Sequence, residues 1–199
     1  MASGMSSIKG RWGIEMNLEG LLRFLRAAGM LKRTIRSGWR RIGVEDPESV
    51  ADHSYRTALL TMLLADLEGV DCEKALRMAL LHDLAESMMG DLTPEEKRLL
   101  GESYHRREEE AMERLLEGLP GELTRRYLEL WREYKRCETP EARLTHQADR
   151  LEMVIQALEY EMEGGVKAEN FNRFWRWEGE GLASKLYELL RRKRRELRA

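Results

Sequence analysis

Leu80-Leu81-His82-Asp83-Leu84-Ala85-Glu86, closed by Gly90-Asp91, constrains the fold of this chain more than any other stretch. An imidazole and a carboxylate stand side by side in an otherwise apolar run, where an unpaired buried charge costs several kcal/mol. A fold that buries the run must bring compensation to it. A divalent cation supplies it most simply, because neutral imidazole and ionised carboxylate both ligate such ions. Two adjacent side chains do not complete a coordination shell, so other parts of the chain must contribute. His53, in Val50-Ala51-Asp52-His53-Ser54, and Asp149, in Gln147-Ala148-Asp149-Arg150, are the candidates, and each lies in a segment of helical pattern.

The apolar spacing predicts helices from end to end. Asn17 caps the first, whose inward face reads Leu18, Leu21, Leu22, Leu25 and Ala28, with Gly29 as its stop. Residues 32–46 have no clear period and read as a loop or broken helix. Asp46 or Ser49 starts the next helix, which turns Val50, His53, Thr57, Leu60 and Leu64 inward. A single helix over 73–89 carries Leu76, Ala79, His82, Asp83 and Glu86 on one face. Thr93-Pro94-Glu95-Glu96 has the pattern of a capping box. Further helices are expected over 103–117, 122–137, 139–163 and 182–197, with an aromatic surplus at Phe171, Phe174, Trp175 and Trp177. No sustained alternation marks a strand. The expected architecture is therefore all-α, a compact helical bundle with ligands converging from different helices.

At 199 residues the chain suits one domain with a real core. Its 34 basic and 36 acidic residues leave a net charge of −2, which argues against nucleic acid as the main partner. The basic run Arg191-Arg192-Lys193-Arg194-Arg195 reads as a solvated helix face. No apolar run is long enough for a membrane span. Residues 1–16 read as a flexible leader without secretory character, so a cytoplasmic location is expected, with Cys72 and Cys137 as free thiols.

His53, His82, Asp83 and Asp149 together offer two imidazoles and two carboxylates. That donor set suits Mn²⁺, Fe²⁺, Co²⁺ or Mg²⁺ better than a structural zinc site, which favours cysteine. Their order resembles the H…HD…D signature of the HD-domain metal-dependent phosphohydrolases, an all-α superfamily. The fuller run from His82 through Glu86, with Gly90-Asp91-Leu92-Thr93-Pro94, is similar to the 5′-deoxynucleotidase branch. The resemblance implies a single HD domain over 17–199 with a basic C-terminal helix and one divalent ion. It implies removal of the 5′-phosphate from deoxyribonucleoside monophosphates by a homodimer. It also implies that Arg36 and Trp39, upstream of the first histidine, meet the substrate.

Phosphate monoesters hydrolyse extremely slowly unaided, so a site for them must neutralise phosphoryl charge and supply a nucleophile. Glu86 lies three and four positions after Asp83 and His82, where it can hold or deprotonate the attacking water. Asp91 can protonate the leaving 5′-oxygen if neighbouring carboxylates raise its proton affinity. Arg36 can clamp a phosphate through two parallel hydrogen bonds, and Trp39 can crowd out a 2′-hydroxyl. Arg150 reads as half of a structural ion pair, and His146 as the one substitute ligand. Two other readings compete: hydrolysis of another nucleotide (cyclic, triphosphate or alarmone), or a non-catalytic nucleotide sensor with a structural metal. Intact Glu86 and Asp91 weigh against the sensor.

Overall fold

Helix starts in this protein are written locally, and the computed structural model, which describes residues 7–9 and 15–199, shows them. The Asn17 side chain accepts the N–H groups of Glu19 and Gly20 and opens α1, Leu18–Met30. Ser49 and Asp52 form a reciprocal capping box at the start of α3, Val50–Glu68, and Thr93 and Glu96 form another at α6, Pro94–Leu100. Thr139, followed by Pro140, opens the long α9, Pro140–Glu163. Each cap satisfies N–H groups that the helix itself cannot. Between these run α2 (Ser37–Ile42), α4 (Cys72–Leu81), α5 (Glu86–Met89), α7 (Glu102–Leu116) and α8 (Gly121–Arg136). A 3-10 segment, Ala168–Phe174, and α10, Gly181–Arg198, follow α9. Most of the expected leader lies outside the described residues. Within the N-terminal region Ser7–Lys9 (β1) and Glu15–Asn17 (β2) pair antiparallel, Ser7 opposite Asn17, a short ribbon that the sequence pattern did not announce.

Helices α3, α4 and α9 pack on one another, with α10 against α3 and α9 and with α8 against α4 and α9. Leu64, Leu144, Leu151, Val154 and Phe171 are buried in the core around α9. A second core joins Leu31, Val50, Leu81, Leu84, Met112, Leu116 and Trp131, where α1 and α7 meet the end of α4. His82 and its neighbours follow the last turn of α4, between the two cores. Among the described residues no helix is long and apolar enough to cross a membrane.

Three expectations need correction. The inward face of α1 is Gly20, Phe24, Ala27 and Ala28, continued by Leu31 just past its end, whereas Leu22 and Leu25 are exposed. The backbone at Gly20 packs directly on Gly118, and a residue without a side chain contributes nothing to an apolar period. The expected helix over 73–89 breaks at the His82-Asp83 turn: the N–H groups of Leu84, Glu86 and Ser87 bond three residues back, to Leu81, Asp83 and Leu84. That tighter winding stacks residues three apart, which keeps Glu86 over Asp83. The aromatic segment is no surface surplus, because Phe171, Phe174 and Trp175 are buried. Trp39 packs within this group, its ring centroid 4.1 Å from that of Phe174 and 5.4 Å from that of Tyr160.

Candidate metal centre

Four predicted ligands from three regions of the chain converge. His53 comes from the first turns of α3, His82 and Asp83 from the turn after α4, and Asp149 from the middle of α9. The two Nε2 atoms of His53 and His82 stand 3.4 Å apart. Asp149 Oδ1 lies 3.1 Å from His53 Nε2, and Asp83 Oδ2 lies 3.1 Å from His82 Nε2 and 3.7 Å from His53 Nε2. Ligand atoms of His53, His82 and Asp149 all fall within 4.8 Å of one another.

The far sides of both rings are occupied. His82 Nδ1 donates to the Ala79 carbonyl at 2.7 Å, which leaves Nε2 of the neutral ring as the free lone pair. His53 Nδ1 faces Glu152 Oε2 at 2.5 Å, and Glu152 Oε1 accepts Arg56 Nε at 3.0 Å. Carboxylate or carbonyl support behind a histidine is what orients a metal-binding ring. The residues present therefore fit a divalent cation, by donor type and by the aim of both rings. A second acidic group, Glu48 with His53 and Glu152, lies behind His53. Its members are engaged elsewhere: Glu48 accepts the Trp39 indole N–H at 2.8 Å.

Without an ion, the clustered carboxylates favour a proton on His53, which a bound cation would replace. Burial and the Arg36 charge push the His53 imidazolium down, but Asp149 and Glu152 outweigh them and raise it to about 10. Burial works against the Asp83 carboxylate, yet His82, Arg36 and His53 hold it well below the usual range. Asp149 is likewise held low, against burial, by His53 and His82. Glu86 moves the other way: burial, then the charge of Asp83, raise it to about 8, with Lys97 opposing. Its Oε1 is bound by Lys97 at 3.0 Å, while buried Oε2 has no partner among the described residues.

A cavity of about 630 Å³ adjoins the ligands and is lined by Arg36, Trp39, Asp83, Asp91, Lys97 and Asp149 among others. That size lies within the roughly 300–1,000 Å³ usual for small-molecule sites. Arg36 Nη1 lies between two carboxylates, 3.5 Å from Asp83 and 3.7 Å from Asp91. Asp91 Oδ2 accepts both the N–H and the hydroxyl of Ser37, at 2.5 and 2.7 Å. Trp39 edges the cavity but is only 1% exposed. Arg150 forms no ion pair among the described residues; it donates to the Arg176 carbonyl and lines the cavity. His146 is no ligand, since it bonds the Tyr134 carbonyl and stacks on the Tyr134 ring. Glu152 and Lys97 are the residues that the sequence reading missed. Glu152 has a signal in retrospect, three positions after Asp149 on α9; Lys97 sits in a charged helix start and has none.

The sequence pattern of the HD domain family matches residues 28–189. The 5′-deoxynucleotidase HDDC2 of Mus musculus is 46% identical over 142 residues, 71% of this chain and 70% of that protein. Among solved structures, a conserved hypothetical protein from Pyrococcus furiosus has a TM-score of 0.69 at 37% identity, covering 87% of this chain and 99% of that one. One from Magnetospirillum magnetotacticum, described as a predicted metal-dependent phosphohydrolase, has a TM-score of 0.66 at 26% identity, covering 90% and 94%. With its ligand order, its all-helical core and these likenesses, the chain belongs to the HD domain family.

Proposed function

We propose that this protein is a divalent-metal-dependent phosphomonoesterase that removes the 5′-phosphate from deoxyribonucleoside 5′-monophosphates. The observation that carries the reading is the meeting of His53 Nε2, His82 Nε2 and Asp149 Oδ1 within 4.8 Å, beside a cavity that also presents Arg36. The likeness to 5′-deoxynucleotidases supports the substrate class. His53, His82, Asp83 and Asp149 would hold one ion, with Mn²⁺, Co²⁺, Fe²⁺ and Mg²⁺ all compatible with nitrogen and oxygen donors. When bound, the ion supplies Lewis acidity toward the phosphoryl oxygens and a water acidic enough to react at neutral pH.

The chain's own residues do the rest. Arg36 grips the phosphate, its guanidinium kept charged by Asp83 and Asp91. Glu86 takes the proton of the attacking water as oxygen bonds to phosphorus. The bond from phosphorus to the 5′-oxygen breaks, and Asp91 delivers the proton that completes the nucleoside hydroxyl. Trp39, hydrogen-bonded to Glu48 and packed on Phe174, acts as a wall against a 2′-hydroxyl. Such a wall discriminates by about a hundredfold at most.

The protein acts as a homodimer in this reading. The outward row Tyr55, Leu59, Leu63 and Leu67 on α3 supports it, being 39–71% exposed at four-residue spacing. A cytoplasmic setting suits the free Cys72 and Cys137. The deciding experiment is a phosphate-release screen over ribo- and deoxyribonucleoside 5′-monophosphates with added Mn²⁺, Co²⁺ and Mg²⁺. Faster release from dAMP than AMP is expected, and Glu86→Ala and Asp91→Ala should lose turnover while keeping metal. Equal rates on AMP and dAMP refute the deoxynucleotide assignment, and no release from any nucleotide refutes the phosphatase.

A further inference from the structure

We propose that Lys97 is a phosphate-contact residue, the second fixed cation that, with Arg36, holds the phosphoryl group in the cavity. The inference deepens the phosphomonoesterase reading and rests on it. The capping box at Thr93 fixes the start of α6, and the Lys97 N–H donates to the Thr93 carbonyl at 2.9 Å, so the backbone carries Lys97 to one definite place. From there Nζ reaches Glu86 Oε1 at 3.0 Å. Lys97 lines the cavity together with Arg36, Asp83 and Asp149. The ammonium opens onto the cavity and pairs with a carboxylate whose side chain is only 4% exposed, while the lysine side chain itself is 31% exposed.

Its surroundings hold it there. Nζ lies 5.4 Å from the centroid of the Tyr104 ring, and the Tyr104 hydroxyl donates to Glu108, which Lys135 binds in turn. Burial works against the charge of Lys97, but Glu86 and Asp83 keep the proton on. An exposed Lys–Glu pair on a helix is an ordinary surface feature. This pair differs, because its acid is buried and its base opens onto the site.

Charge balance gives the lysine its task. Asp83, Glu86, Asp91 and Asp149 bring four carboxylates to one region. Arg36 and a divalent ion offset part of that negative charge, and Lys97 offsets more of it. A phosphate group arrives with a charge of about −1.5 to −2 at neutral pH, so each cation held beside these carboxylates favours its entry. An ammonium is a compact phosphate binder that can swing between Glu86 and an incoming oxygen on its flexible stem.

The test is calorimetric titration of inorganic phosphate into the Mn²⁺-loaded protein, with metal content measured for each variant. Lys97→Met should weaken phosphate binding by about tenfold or more, as loss of a charge-assisted hydrogen bond does, without loss of metal. Lys97→Arg should stay within about threefold of wild type, because it keeps the charge. In Glu86→Gln the Lys97→Met effect should persist; its disappearance there would mean that Lys97 acts only through Glu86 and would overturn the contact. Phosphate binding by metal-loaded Lys97→Met equal to wild type also overturns it. A loaded wild type that binds no phosphate removes the phosphomonoesterase reading itself, and the proposal with it.

Discussion

Two glycines nine positions apart in α1 should respond to the same substitution with opposite signs. A Cβ at Gly20 would sit 2.0 Å from the Gly118 carbonyl oxygen and 2.8 Å from its carbon. Those atoms are backbone, so no side chain can swing away, and α1 must shift from the end of α7. A Cβ at Gly29 meets nothing within 4 Å. Alanine in place of glycine inside a helix stabilises by about 1 kcal/mol where nothing opposes it. Gly29→Ala should therefore gain about that much. Gly20→Ala gains the same helix term but adds an overpacking cost of about 1–3 kcal/mol, at the upper end because both partners are main chain. Its net effect should be a loss of about 1–2 kcal/mol, or roughly 3–6 °C in Tm for a chain of this length. Thermal melts of wild type and both variants by circular dichroism decide it. A Gly20→Ala protein as stable as Gly29→Ala would refute the close approach. The outcome bears on function, since α1 packs on α5, which begins with Glu86.

Glu152→Gln should lower metal affinity by about 10–100-fold, because it removes the charge that orients His53 while leaving every ligand in place. Chelator competition measures it, and unchanged affinity would make Glu152 merely structural. The metal-free protein should lose stability steadily as pH rises. His53 is raised from 6.5 to about 10, so its contribution is complete below about 6.5 and lost as pH passes through about 10. Glu48 and Glu86, raised from 4.5 to about 7 and about 8, act with the same sign, since the folded chain keeps protons that the unfolded chain has released. A Tm in chelator that is higher at pH 9.5 than at pH 6.5 would contradict these assignments.

The caps at Asn17, Ser49, Thr93 and Thr139 were legible because an N-cap depends on a side chain and the N–H groups two or three residues on. The candidate ligand set was legible for a different reason: histidines and acids at inward helix positions need a common partner wherever they meet. Periodicity failed at Gly20, whose packing value is the absence of a side chain, and at the His82-Asp83 turn, where three-residue bonding replaces the regular helix. Only the tertiary structure could put Trp39 inside the core, leave Tyr55, Leu59, Leu63 and Leu67 outside, and bring Glu152 behind His53. Lys97 belongs with these. In the sequence it is one charge in a charged stretch. Its meaning comes from Glu86, eleven residues away, and from a cavity that exists only once α6 closes beside the ligands.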